Sequence, residues 1–210
     1  MAIVATDTGG GGDFTPVPMG THFAVCDMVV DLGKQRTSYQ GEESVKHQIY
    51  LRWQIPAERV EWKDGDGNQK EGPAVIGKTY TLSLGEKANL RKDLQAWRGK
   101  SFTEDELRGF DVSKLLGVAA TLTVTHTEKN GRTYTNVASL GGIPKGMDKP
   151  AAENGVTLYD NDNAGTFENL PKWLREKISG QIDPGAANDE GTGQRPFADT
   201  DLDDDSDIPF

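Results

Sequence analysis

Residues 45–55 read VKHQIYLRWQI, and apolar and polar side chains alternate through this stretch. The odd positions carry Val45, His47, Ile49, Leu51, Trp53 and Ile55, and the even positions carry Lys46, Gln48, Tyr50, Arg52 and Gln54. A period of two is typical of a β-strand with one buried face. The stretch therefore predicts a strand whose other face is polar, basic and aromatic, and Pro56 ends it.

Similar patterns outside this stretch predict four more strands and one helical interval. The strands are His22–Leu32, Ile76–Leu84, Val118–Thr127 and Arg132–Leu140, and the helix is Glu86–Arg98. Asn130-Gly131 joins the last two strands and is the strongest short signal for a hairpin. We expect a mainly β chain, a five-stranded OB-fold barrel with a helical insertion between strands 3 and 4. Similar strand counts also occur in unrelated barrels.

The helical interval has its own internal signals. Leu90, Leu94 and Trp97 recur at helical spacing, so we expect them in the core together with Trp53. Gly99 is a typical C-terminal stop. Thr103 followed by Glu106 predicts a capping box at the start of a second short helix.

The net charge is unevenly distributed along the 210 residues. Residues 1–149 contain 19 Lys and Arg and 19 Asp and Glu, so this part is neutral overall. Residues 150–210 contain 4 Lys and Arg against 14 Asp and Glu, which accounts for the whole net charge of −10. A uniformly acidic chain would argue against nucleic-acid binding, but a neutral first part does not.

Composition divides the chain into four segments. Residues 1–20 are rich in Gly, Thr and Pro and predict a flexible arm, and residues 21–146 hold the predicted barrel. Residues 147–179 form an extension with a short amphipathic helix at Leu170–Ile178. Residues 180–210 have almost nothing to bury, so we expect a disordered acidic tail.

The end of the chain has the pattern of a peptide ligand. Six aspartates lie between Asp199 and Asp207, and Ile208-Pro209-Phe210 follows. Phe210 is suited to fill a pocket, its α-carboxylate to pair with a cation there, and the acidic run to steer the tip to a basic rim. The alternative interpretation is a solubilising tail with an accidental ending.

Two resemblances point the same way. Asp203-Asp204-Asp205 and Ile208-Pro209-Phe210, separated by Ser206-Asp207, resemble the acidic tip of bacterial single-stranded-DNA-binding proteins. Residues 15–180 are similar instead to phage-encoded single-stranded-DNA-binding proteins. The motifs are Leu82-Ser83-Leu84-Gly85-Glu86-Lys87, Asp93-Leu94-Gln95-Ala96-Trp97-Arg98-Gly99, Gly109-Phe110-Asp111 and Ile143-Pro144-Lys145-Gly146. This resemblance implies an OB-fold, binding without sequence preference and no catalysis.

A single-strand binder needs aromatic faces for bases and cations along the phosphate path. The polar face of the second strand and the first and last hairpins, which flank the groove of an OB-fold, supply both. The candidates are Lys34, Arg36, Tyr39, Lys46, Tyr50, Arg52, Lys129, Arg132 and Tyr134. For any one of these cations, an ordinary solvated charge is the alternative, and Trp62 is undecided between stacking and loop packing.

The sequence has no constellation typical of catalysis, of a metal site or of a cofactor. His22, His47 and His126 lack metal-ligand spacing, and we expect His47 to be a core residue with satisfied polar atoms. Cys26 lies in a predicted strand, so we do not expect a nucleophile. We therefore expect a protein that is not an enzyme.

Several features predict a cytoplasmic protein, in the bacterial host if it is phage-encoded. One cysteine allows no intrachain disulfide, which is typical of a reducing compartment. No signal-peptide pattern begins the chain, and no apolar stretch approaches membrane-spanning length, so we expect no membrane partner.

The leading hypothesis is a protein that coats single-stranded DNA and recruits replication or recombination proteins through its tip. An acidic DNA-mimic or adaptor that binds a host enzyme is one alternative, and a strand-annealing recombination mediator is another. The sequence leaves the oligomeric state open, including a homo-oligomer.

Overall fold

The alternating stretch around Leu51 lies in the middle of a much longer strand. The computed structural model describes residues 16–39, 41–63, 67–160 and 164–182, and within them the chain is mainly β. Its strands are β1 (Gly20–Tyr39), β2 (Glu42–Lys63), β3 (Gln69–Thr81), β4 (Ala119–Lys129), β5 (Arg132–Gly141) and β6 (Thr157–Tyr159). Its helices are α1 (Asn89–Arg98), α2 (Glu104–Arg108) and α3 (Lys172–Ser179), with 3₁₀ segments at Val112–Leu115 and Ala164–Asn169.

Five strands form one antiparallel sheet that curls into an open half-barrel, in the order β3-β2-β1-β4-β5. β1 is central, and its segment Val25–Tyr39 pairs with β2. On its other edge, Gly20–Val25 pairs with β4, and Met28–Val30 pairs in parallel with β6. At the two ends of the sheet, Lys78 of β3 donates from Nζ to the carbonyl of Val137 in β5, at 3.4 Å.

A register shift between Cys26 and Met28 turns the side chains of β1 over. Ala24 and Cys26, before the shift, belong to the main core inside the curled sheet. Met28 and Val30, after it, belong to a second hydrophobic cluster on the opposite face. Successive side chains of a strand point to opposite faces, so one extra residue exchanges the faces of everything that follows.

The main core confirms the apolar pattern of β2 from Ile49 onward. Ile49, Leu51 and Ile55 are buried, and α1 packs against them inside the curl. Trp53 and Trp97 are 0% and 5% exposed, and their ring centroids lie 5.8 Å apart, which confirms both as core residues.

Three local signals are also confirmed. Asn130 and Gly131 have φ of 53° and 72°, as a tight hairpin with two left-handed residues requires. Gly99 ends α1 with φ of 67°. Thr103 and Glu106 form the reciprocal hydrogen bonds of a capping box at α2.

Three strands are longer than predicted, because backbone pairing extends them beyond their apolar residues. β2 runs from Glu42 to Lys63, so the prediction that Pro56 ends it is wrong, and the register shift between Ile55 and Arg59 accommodates the proline. β1 continues through a polar segment to Tyr39, paired with the start of β2. β3 begins at Gln69 rather than Ile76, and the register shift of β2 between Ile55 and Arg59 lies opposite its Pro73. Proline is tolerated at such a bulge on a strand at the end of a sheet, which is why the sequence pattern missed this part of β3.

The extension packs on the half-barrel as an integral part of the fold. The predicted helix is confirmed as α3, and β6 was not predicted. The second cluster consists of Met28, Val30, Leu32, Tyr159, Leu170, Leu174 and Ile178. The extension therefore covers the face of β1 and β2 that the sequence pattern predicted to be open.

The predicted arm and tail are described only where they meet the barrel. Val17 is buried in the main core, and its carbonyl accepts from Nε2 of His126 at 2.7 Å. At the other end, the backbone N–H of Ile182 donates to the carbonyl of Lys34 at 2.8 Å. Residues 1–15 and 183–210 lie outside the described residues.

Replacing Gly77 by alanine should destabilise the fold by about 1–3 kcal/mol, as overpacking does. A Cβ there would overlap the phenol ring of Tyr50, although the backbone of residue 77 is not left-handed. Urea unfolding of Gly77→Ala, alone and with Tyr50→Leu, measures this, and the second change should recover most of the loss. Gly109→Ala, with open space around it, is the control. Equal effects at the two glycines would contradict the packing.

Candidate nucleic-acid interface

The first group of predicted cations gathers at the hairpin between β1 and β2. Lys34 and Lys46 are half-buried, and Arg36 is exposed. Arg36 lies 3.7 Å from a carboxylate oxygen of Glu43, and both side chains are 73% exposed, so this pair adds little rigidity. Tyr39 ends β1, and its side chain lies outside the described part of the chain.

The second group lies at the hairpin between β4 and β5. Lys129 pairs with Arg132 next to the turn, and Tyr134 follows two residues later. All three side chains are exposed, Tyr134 by 49%. Among the described residues, no carboxylate forms an ion pair with Lys129 or Arg132. Two cations and an aromatic face are therefore presented to solvent together.

The backbone pairing places the two hairpins at opposite ends of β1. Gly20 at one end pairs with Val124, from which β4 continues to its hairpin, and Tyr39 at the other end pairs with Glu42. The structure thus brings each group of candidates together but does not join the two groups. The outer face of β1 and β2, carrying the extension, lies between them.

Arg52, predicted to contact DNA, is bound to a buried carboxylate instead of pointing freely into solvent. Its Nε and Nη2 donate to Oδ1 and Oδ2 of Asp27, at 3.1 and 2.7 Å. Asp27 is 1% exposed and also accepts from Nε2 of Gln54 at 2.9 Å. Gln54 in turn accepts from the backbone N–H of Glu153 at 2.9 Å. This network fastens the start of the extension to β2.

Tyr50 is likewise engaged within the chain. Its ring meets that of Trp173 edge-on, with centroids 5.0 Å apart and an interplanar angle of 87°. The phenol also lies against Gly77 of β3. Burial raises the pKa of Tyr50 to about 12, so its hydroxyl stays neutral over the physiological range. Tyr50 is half-buried, and the more exposed aromatic side chain at this point is Trp173.

Sequence reasoning missed Trp173 as a candidate and left Trp62 undecided. Trp173 is 47% exposed, because Leu174 and Ile178 form the buried stripe of α3 and Trp173 lies beside it. That offset from the helical period was the signal available in the sequence. Trp62 is 46% exposed and lies over Gly72, where a Cβ would be 2.9 Å from its ring.

The cysteine and histidine side chains, the usual candidates for chemistry, have structural partners. Burial and the neighbouring Asp27 raise the pKa of Cys26 to about 12, and its side chain is fully buried. His47, expected in the core, is 41% exposed and bonds a carboxylate oxygen of Asp31 at 2.6 Å. His22 bonds the carbonyl of Pro18 at 2.8 Å. Within the described ranges, no cluster of three His, Cys, Asp or Glu side chains is arranged to hold a metal ion.

The predicted tip, Asp203 to Phe210, lies outside the described residues. No helix among those that are described is both long and apolar enough to cross a bilayer. No model of a protein family matches the chain, and a search of curated proteins finds no significant match. Function is therefore inferred from the fold and its residues alone.

Replacing Asp27 by asparagine should destabilise the fold strongly. Removing one partner of a buried ion pair costs about 3–5 kcal/mol, and we expect the lower end because Arg52 is 23% exposed. Glu43→Gln, which breaks the exposed pair with Arg36, should cost under about 1 kcal/mol. Urea unfolding followed by tryptophan fluorescence measures both variants. A loss for Asp27→Asn no larger than for Glu43→Gln would contradict a structural role for the pair.

Proposed function

We propose that this chain is a single-stranded-DNA-binding protein of the phage-encoded kind, and that its curled sheet is an OB-fold. It coats exposed strands without sequence preference and carries out no catalytic step. The observation that carries the proposal is the pair of basic hairpins at opposite ends of the central strand β1, one of which also presents the exposed Tyr134. The outer face of β1 and β2, with the extension on it, lies between these hairpins, and the DNA strand is proposed to cross it.

The strand order supports the OB-fold. β3-β2-β1-β4-β5, with α1 and α2 inserted between β3 and β4, is the order of that barrel. The contact from Lys78 to Val137 brings β3 and β5 together, the two strands that close such a barrel. In this fold the hairpins between strands 1 and 2 and between strands 4 and 5 border the nucleic-acid groove.

The candidate residues divide into two roles under this proposal. Lys34, Arg36 and Lys46 at one hairpin, and Lys129 and Arg132 at the other, contact phosphates, while Tyr134 stacks on a base. Tyr50 and Arg52 act less directly, because their contacts with Trp173 and Asp27 hold the surface between the hairpins in place.

The acidic tip has a separate role in the proposal. Ile208-Pro209-Phe210, preceded by aspartates, is the segment that recruits replication or recombination proteins. Before it finds a partner, the tail is expected to compete with DNA for the basic hairpin. The hydrogen bond from Ile182 to Lys34 supports this, because the chain leaves the barrel beside that hairpin.

A second candidate function is an acidic adaptor or DNA mimic that binds a host enzyme. It is favoured by the composition after Ile182, where residues 183–210 contain nine Asp and Glu against one arginine, a net charge of −8. A DNA mimic, however, has no use for two solvated basic hairpins.

Fluorescence anisotropy with labelled oligo-dT separates these functions. The full chain should bind, and log affinity should fall with log salt by about 0.7 per phosphate contacted. The double variant Lys129→Gln/Arg132→Gln removes two such contacts and should reduce this slope by about 1.4. Lys92→Gln/Lys114→Gln, with the same charge change in the helical insertion, is the control and should behave as wild type. An absence of binding at modest salt would favour the adaptor instead.

Deleting residues 199–210 should tighten oligo-dT binding at low salt or leave it unchanged, because the deletion removes six aspartates that compete with phosphates. A matched variant keeps the length and replaces the same six aspartates by asparagine. Both should give the same affinity, measured by anisotropy at low and high salt. A clear loss of affinity on deletion would overturn the competition.

A further inference from the structure

Trp173 is a large aromatic side chain held at the surface by a helix whose apolar stripe is buried. It is the second residue of α3 and lies next to Leu174, which is fully buried and one turn before the buried Ile178. Despite that anchoring, 47% of Trp173 is exposed. The helix therefore fixes an indole at the solvent boundary, where it loses little conformational freedom on contacting a ligand.

The contact with Tyr50 leaves the indole with an open face. In an edge-on pair, one ring's edge meets the other ring's face. If the edge belongs to Tyr50, one face of the indole is covered and the other is not. If the edge belongs to Trp173, Tyr50 covers neither face. In both cases Tyr50 leaves at least one face of the indole uncovered, and the 47% exposure of Trp173 is the surface available to a third ring.

Gly77 of β3 allows Tyr50 to pack closely against the sheet beneath Trp173. Tyr50 lies on Gly77, where any larger residue would displace its phenol ring. Glycine inside a strand weakens the strand and often marks the close approach of another group. Here that group is the tyrosine on which Trp173 rests, so the position of the indole depends on three elements, α3, β2 and β3.

Cations follow α3 from Trp173 toward the hairpin of β1 and β2. Lys177 lies one turn further along the helix, and its carbonyl accepts from Nε2 of Gln35 at 3.0 Å. Gln35 of β1 pairs with Lys46 of β2 in the sheet. The C-terminal end of α3, which Gln35 contacts, therefore lies close to Lys46. Among the described residues, no carboxylate forms an ion pair with Lys177 or Lys46.

We propose that Trp173 is a base-stacking residue, so that single-stranded nucleic acid crosses the extension as well as the barrel. Trp173 stacks on one base, and Lys177 and Lys46 contact the phosphates that lead to the β1–β2 hairpin. The inference rests on the proposed function and adds a surface to it. Bases and phosphates together match an aromatic face beside uncompensated cations.

The test compares two strands of equal length and charge, oligo-dT and an abasic oligonucleotide, by anisotropy with the full chain. Trp173→Leu keeps an apolar side chain on Tyr50 but removes the aromatic face. It should weaken oligo-dT binding roughly 5- to 140-fold, since base stacking is worth about 1–3 kcal/mol and 1.4 kcal/mol is tenfold. Its affinity for the abasic strand should not change. Trp173→Phe should lose less than Trp173→Leu.

Trp62→Leu is the matched control, because it removes a tryptophan of similar exposure that lies at the end of β2, twelve residues beyond Tyr50. It should retain the preference for oligo-dT over the abasic strand. If Trp173→Leu loses equal affinity for the two oligonucleotides, or loses affinity for neither, the stacking role is overturned while the proposed function stays intact. Failure of the wild-type chain to bind either strand would overturn both proposals.

Discussion

The register shift between Cys26 and Met28 allows β1 to serve two hydrophobic cores. Before the shift Ala24 and Cys26 fill the curled sheet, and after it Met28 and Val30 support the extension while Val29 faces the main core. Without the extra residue, Met28 and Val30 would face inward and Val29 would face the extension instead. The main barrel, the extension and the position of Trp173 all follow from this irregularity in one strand.

Asp27 is the residue within this register shift, and it places a buried carboxylate there. A carboxylate buried this deeply is tolerated only when it is paired and hydrogen-bonded, which Arg52 and Gln54 accomplish. Gln54 in turn accepts a hydrogen bond from the backbone N–H of Glu153 in the extension. The two cores are thus joined by a directional hydrogen-bond network as well as by packing, which fixes how the extension sits on the sheet.

The sequence predicted features that depend on neighbouring residues. The hairpin at Asn130, the capping box at Thr103 and the core tryptophans Trp53 and Trp97 follow from local spacing. It did not predict β6, or the burial of the outer face of β2, because these depend on residues about a hundred positions away. The candidate site divides the same way. Arg36, Lys129 and Arg132 are exposed as expected, whereas Lys34 and Lys46 are half-buried and Arg52 is engaged by Asp27, a partner that periodicity does not reveal.

An open half-barrel has two terminal strands with backbone groups that could pair with another chain. Strand addition at such edges is a route to aggregation, and natural sheets oppose it with proline, lysine and irregular register. β3 carries Pro73 opposite a register shift, and the amino group of Lys78 occupies the carbonyl of Val137 on β5. Pro73 and the register shift, which hid the start of β3 in the sequence, are therefore also features that oppose pairing of this edge with another chain.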